Sequence, residues 1–115
     1  MNVEYDSTDV FALLDDTYAR TILIAVSKQS MSAKQLAEEC EMSLPTVYRR
    51  IERLIDTGLV REQTRIAPDG HHYSVYDARL QRLTVELDNG NLEIVVESQP
   101  TDDVADRFTE MWDQV

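Results

Sequence analysis

Between residues 43 and 82 the chain carries Arg49, Arg50, Arg53, Arg61, Arg65, Arg79 and Arg82 and no lysine. A guanidinium presents a planar fork of donors that grips a phosphate or a guanine edge at two points, which an ammonium cannot do. The flanks sharpen the contrast. Residues 1–42 carry three basic and eight acidic side chains and residues 83–115 carry one and nine, whereas this middle segment carries seven and five. A cationic segment kept in a chain of net charge -11 is suited to meeting an anion.

Other chemistry is thin. Cys40 is the only cysteine, which excludes an internal disulfide and a multi-cysteine metal site within one chain. It stands on the apolar face of an expected helix among Glu38, Glu39 and Glu41, a setting that raises a thiol pKa, so it is read as a buried structural residue rather than a sensor. His71 and His72 flank a turn beside Asp69 and are expected to be exposed or phosphate-facing, with no metal. No phosphate-binding glycine loop or nucleophile elbow occurs, and no carboxylate pair stands out from an acid-rich background. Neither an enzyme nor a cofactor is expected.

The 115 residues suffice for one domain. With 43% hydrophobic residues and only three glycines and three prolines the chain can bury a core, so its acidity is read as surface rather than as disorder. A dense carboxylate shell, with a sequence pI near 4.4, is economical in molar salt, where self-repulsion is screened within roughly 3 Å. A halophilic, cytoplasmic protein is the expectation. The longest apolar run, Ile22 to Val26, is far too short to span a bilayer, and no signal-like start precedes it.

The positioning elements follow from caps and periodicity. Asp6, Ser7 or Thr8 can cap a short helix bearing Val10, Phe11, Leu13 and Leu14, and Asp15 and Asp16 end it and cap the next, from Thr17 to about Lys28. Ser32 and Gln35 form a capping-box pattern ahead of a third helix over about 33–41. Ser43 caps a fourth, with Pro45 in its first turn, which stops at Gly58. On that helix Val47, Ile51, Leu54 and Ile55 share one sector, while Thr46, Arg49, Arg50 and Arg53 share the opposite one.

Two strands about Pro68-Asp69-Gly70 then predict a hairpin over 59–76. Asn89-Gly90 predicts a second over 83–97, with Leu87 facing Leu92, Val85 facing Ile94, Leu83 facing Val96 and Glu86 opposite Glu93. Past Pro100, residues 101–115 place Val104, Ala105, Phe108, Met111, Trp112 and Val115 at helical spacing. The expected fold is α+β: a winged helix-turn-helix core at about 16–76, an additional β-hairpin, and a C-terminal amphipathic dimerisation helix.

Ala37, Glu41, Met42, Val47 and Ile51 fall on the key spacing of a helix-turn-helix, with Glu41 where glycine is usual. Together with Asp16–Arg20, Ser32–Glu38, Ser43–Arg49 and Thr57–Val60 they make about half the chain resemble the DNA-binding core of ArsR-like winged-helix regulators. The acidic composition resembles that of haloarchaeal members, among which is an oxidative-stress regulator. The cysteine cluster of the metal-sensing members is missing, so metal sensing does not carry over.

The resemblance implies a homodimeric, sequence-specific transcription regulator acting on double-stranded DNA at a pseudo-palindromic operator, with an oxidative-stress role among its possible settings. Ser43, Pro45, Thr46, Tyr48 and Arg49 are expected at base edges, with Arg49 on guanine. Arg50, Arg53, Arg65 and His72 are expected at phosphate. Phe11, Val104, Phe108, Met111 and Trp112 are expected at the dimer contact. The rival reading is a winged-helix protein-interaction module whose arginine stripe meets an acidic partner without DNA.

Overall fold

The computed structural model describes residues 2–4 and 7–100. The elements run β1 (Asn2–Glu4), α1 (Ser7–Asp15), α2 (Thr17–Lys28), α3 (Ala33–Glu39), α4 (Leu44–Asp56), β2 (Val60–Ile66), β3 (His72–Ala78), β4 (Leu80–Asp88) and β5 (Asn91–Ser98). Four helices followed by two hairpins make the expected α+β winged helix-turn-helix. The expected C-terminal helix at 101–115, with Val104, Phe108, Met111 and Trp112, lies outside the described residues.

Side-chain caps set the helix starts. Asp16 accepts from the amide of Ala19 at 3.0 Å, and the Ser32–Gln35 box is closed in both directions, at 2.9 and 3.2 Å. Ser43 accepts from the amide of Thr46 at 3.3 Å, with Pro45 in the first turn. Each satisfies an amide that the helix itself leaves orphaned.

The helix ends explain the turns. After α3, Glu41 adopts φ 53° and the amide of Met42 donates back to the carbonyl of Ala37 at 3.1 Å, the long bond of a Schellman cap. The third helix is therefore shorter than the sequence suggests, because residues 40 and 41 form its cap. After α4 the motif is complete: Gly58 at φ 76° donates to Ile55 at 3.0 Å and Leu59 to Leu54 at 2.9 Å. Tight turns thus flank α4, one between α3 and α4 and one before β2.

Val10 and Leu13 of α1, Ile22 and Val26 of α2, Leu36 of α3 and Val47, Ile51 and Leu54 of α4 fill one core, joined by Leu59, Val60, Tyr76, Ile94 and Val96. Burial of this kind supplies the dominant stabilising term of the fold.

The wing is the antiparallel pair β2–β3, from Val60 opposite Ala78 to Ile66 opposite His72. It is tied to the helices by reciprocal backbone bonds between Met31 and Tyr76, at 3.1 and 2.8 Å. The second sheet has the order β1-β5-β4, and the β4–β5 register matches the sequence expectation at Leu83/Val96, Val85/Ile94, Glu86/Glu93 and Leu87/Leu92. Asn89 and Gly90 both take positive φ, 49° and 84°, as a two-residue type I′ turn requires. The strand β1, pairing Val3 with Val96 on the other side of β5, was not anticipated.

Candidate nucleic-acid interface

The helix α4 buries Val47, Ile51 and Leu54 and leaves Tyr48, Arg49, Glu52 and Arg53 exposed, the two-faced arrangement that its spacing dictates. At its N-terminal end the exposed side chains are linked. The hydroxyl of Ser43 donates to Thr46 Oγ1 at 2.8 Å, and Arg49 Nη2 donates to the same oxygen at 3.4 Å. Ser43, Thr46 and Arg49 thus form a line along the exposed face, with Thr46 steering the guanidinium back toward the helix start. Pro45 is exposed beside them.

The seven arginines divide by partner. Arg50 Nε lies 3.0 Å from Asp16 Oδ2, with both side chains about four-fifths buried, and its guanidinium stands 5.6 Å from the centre of the Tyr18 ring. Arg61 Nε lies 2.7 Å from Asp77 Oδ2, and Gln63 Nε2 donates to the other carboxylate oxygen, Oδ1, at 3.1 Å. Arg82 meets Glu97 at 3.6 Å on the surface. These three are engaged within the fold. Among the described residues Arg49, Arg53 and Arg65 are exposed and lie beyond ion-pair distance of any carboxylate, Glu52 and Asp56 included. Arg79 is only partly exposed.

Arg50 therefore differs from Arg49, Arg53 and Arg65 in holding an ion pair within the fold. Sequence spacing showed its sector but not Asp16, which tertiary folding alone brings to it. The carboxyl of Asp16 is held below its ordinary value, first by the hydrogen bond from the Ala19 amide and then by Arg50, against the opposing effect of burial.

On the wing, the turn is closed by Ala67 donating to His71 at 2.8 Å and Gly70 to Ala67 at 2.9 Å, with Gly70 at φ 88°. Asp69 is drawn onto His71, accepting from its amide at 3.0 Å and lying 2.9 Å from Nδ1. The hydrogen bonds of the His71 amide and ring lower the carboxyl pKa of Asp69. His72 is exposed. Register places Arg65 opposite Tyr73 and His72 opposite Ile66, so Arg65 and His72 point to opposite faces of the ribbon. Among the described residues no three His, Cys, Asp or Glu side chains converge as metal ligands.

A cleft of about 580 Å³ separates the start of α3 from the wing, with Ser32, Lys34, Tyr48, Glu62, Tyr73 and Tyr76 on its walls. Burial, Glu62 and Tyr48, in that order, raise the phenol pKa of Tyr76. The family resemblance implied a place for Tyr48 at the interface but gave no role to Lys34 or Tyr73, which line the same cleft between α3 and the wing. Cys40 is half-buried at the end of α3, and burial, then Glu39, raises its thiol pKa. Phe11, expected at a dimer contact, is 39% exposed.

Residues 13–63 match the family model of a helix-turn-helix domain. Among solved structures the chain is similar to an ArsR family transcriptional regulator, at 24% identity and TM-score 0.50, over 62% of this chain and 68% of the other. It is also similar to a possible transcriptional regulator from Methanosarcina mazei Go1, at 10% identity and TM-score 0.50, over 68% of this chain and 73% of the other. At these identities the likeness establishes the fold. No curated protein sequence matches the chain. Among the described residues no helix is long and apolar enough to cross a membrane.

Proposed function

We propose that the chain is a non-enzymatic transcription regulator of the ArsR type that binds double-stranded DNA as a homodimer, with α4 in the major groove and the β2–β3 wing at the neighbouring phosphates. The observation that carries this reading is the exposed Ser43–Thr46–Arg49 line at the start of α4. A recognition helix reads base edges from its N-terminal end, and there Arg49, held by the Thr46 hydroxyl, is beyond ion-pair distance of any carboxylate among the described residues. Arg49 is assigned to guanine, with Ser43, Pro45, Thr46 and Tyr48 beside it at the base edges.

Arg53 lies further along the same face and is assigned to phosphate. Arg65 and His72, on opposite faces of the ribbon, suit a wing inserted in a groove, where each face meets a phosphate wall. Arg50, bound to Asp16, acts chiefly as a positioning residue that fixes α4 against α2. In the dimer two copies of α4 enter successive major grooves about 34 Å apart on a pseudo-palindromic site.

The acid-rich surface suits a cytoplasm of high salt, where counterion release contributes little and base contacts carry the specificity. An oxidative-stress setting follows from the haloarchaeal resemblance, with Cys40 outside the sensing chemistry. The test compares wild type with Arg49→Ala by fluorescence anisotropy on specific and scrambled duplexes. Selective loss on the specific duplex supports the reading. Equal, weak binding of both duplexes by folded wild type points instead to an acidic protein partner for the arginine face.

A further inference from the structure

Among the described residues β4 is an outermost strand of the second sheet and is paired with β5 alone. At nine residues it is long for an open edge, and an open edge is a template for another strand. A hairpin closed by a two-residue turn begins on a hydrogen-bonded pair, here Asp88 and Asn91, and bonded and unbonded pairs then alternate along the ladder. Thr84 and Glu86 therefore direct their N–H and C=O groups to β5, while Leu83, Val85 and Leu87 direct theirs outward. These outward residues are all apolar, and Val85 is 48% exposed and Leu87 77%. Two devices that commonly blunt an edge are missing here: residues 82–88 hold no proline or lysine, and the bulge precedes them, between Leu80 and Arg82.

We propose that β4 pairs antiparallel with β4 of a second copy about a two-fold axis through Val85, an inference that rests on the homodimer reading. The strand is self-complementary in that register. Val85 meets its own counterpart, Leu83 meets the second copy's Leu87, and Arg82 meets the second copy's Asp88, so apolar stands opposite apolar and cation opposite anion. Thr84 meets Glu86 without conflict. Every outward residue also finds one whose backbone groups point outward, so ladder bonds and side chains agree. Neighbouring registers fail. An axis between two residues sets outward groups against groups already bonded to β5. An axis through Thr84 puts Leu87 against Gln81, beside the bulge, where the ladder is irregular. An axis through Glu86 brings the two Glu86 carboxylates together and sets Leu83 against Asn89 in the turn. The Val85 register uses the same patch on both copies, as an isologous contact requires.

The test follows association of the full chain by sedimentation velocity, at the lowest KCl concentration at which wild type stays folded. Arg82→Glu sets like charges opposite each other on both sides of the axis, and so does Asp88→Arg. Each variant alone is expected to raise the dimer dissociation constant about tenfold, the effect of losing two cross-strand pairs. Mixed in equal amounts, the two restore opposite charges, and a heterodimer of wild-type affinity is expected. Val85→Pro removes an outward amide, which an edge strand tolerates, so it is expected to keep the fold by circular dichroism and to abolish the dimer. If that variant unfolds, the charge exchange decides alone. A dimer that the charge variants leave intact overturns the proposal and spares the homodimer reading, placing the contact elsewhere. Weakening that mixing does not reverse overturns the proposed register and with it the proposal. A folded wild-type monomer overturns both the proposal and the homodimer reading.

Discussion

Asp16 and Arg50 meet at 3.0 Å across 34 residues of sequence and join the start of α2 to the middle of α4. One carboxylate oxygen caps α2 through Ala19 while the other holds the helix assigned to the DNA groove. Replacing Asp16 by alanine removes both bonds and is expected to destabilise the fold by about 1–2 kcal/mol, the usual effect of losing a good cap, read from urea unfolding. Asp16→Asn retains a capping oxygen and loses only the charge, so it is expected to cost less.

The same residue sets an acid dependence. Its pKa is lower in the folded chain than its ordinary 3.8, so the unfolded state binds the proton more readily. Its contribution is complete above the ordinary value and is lost as pH falls through the folded one. The stability of Asp16→Asn is therefore expected to fall less than that of wild type between about pH 5 and pH 2.

Glu41 stands at φ 53° in the turn between α3 and α4, a conformation that glycine adopts without steric cost. Glu41→Gly is expected to stabilise the chain by about 0.5–1 kcal/mol, since relief of native strain exceeds the entropy that glycine adds to the unfolded state. The urea midpoint should rise with an unchanged m-value.

Arg49 and Arg53 share an exposed helix face but are proposed to play different roles. Arg49→Ala is expected to weaken binding to the specific duplex by about 1–3 kcal/mol and to relax preference at one base pair. Arg53→Ala and Arg65→Ala are expected to weaken all duplexes alike and to reduce the salt slope by about one each. Anisotropy titrations at several KCl concentrations separate the two behaviours.

Glu86 and Glu93 face each other across the second hairpin. Glu86→Lys is expected to stabilise the fold by about 0.5 kcal/mol in dilute buffer and to lose most of that gain in molar KCl, where screening already relieves the repulsion. Thermal unfolding in the two buffers checks this.

Local signals carried most of the fold. Ser32–Gln35, Ser43–Pro45, Gly58 and Asn89-Gly90 fix starts, stops and a turn within a few residues of themselves, and the alternation of residues 83–87 and 92–96 fixes a register. Three-residue β1 has no pattern of its own, because its pairing is set by β5. The site was legible in part for the same reason. Helical spacing put Arg49 and Arg53 on an exposed face, but the commitments of Arg50 to Asp16 and Arg61 to Asp77 depend on long-range packing. Lys34 and Tyr73 met at one cleft only through the Met31–Tyr76 bridge.

The central claim is that the exposed face of α4 reads DNA sequence. The most direct measurement is selection from a random-duplex library by the folded full chain in about 2 M KCl, a salt concentration that strips non-specific binding, followed by sequencing of the retained DNA. The account predicts an inverted repeat with half-sites one helical turn apart, and its loss for Arg49→Ala. Retained DNA with no enriched sequence, from protein shown to be folded, would contradict it.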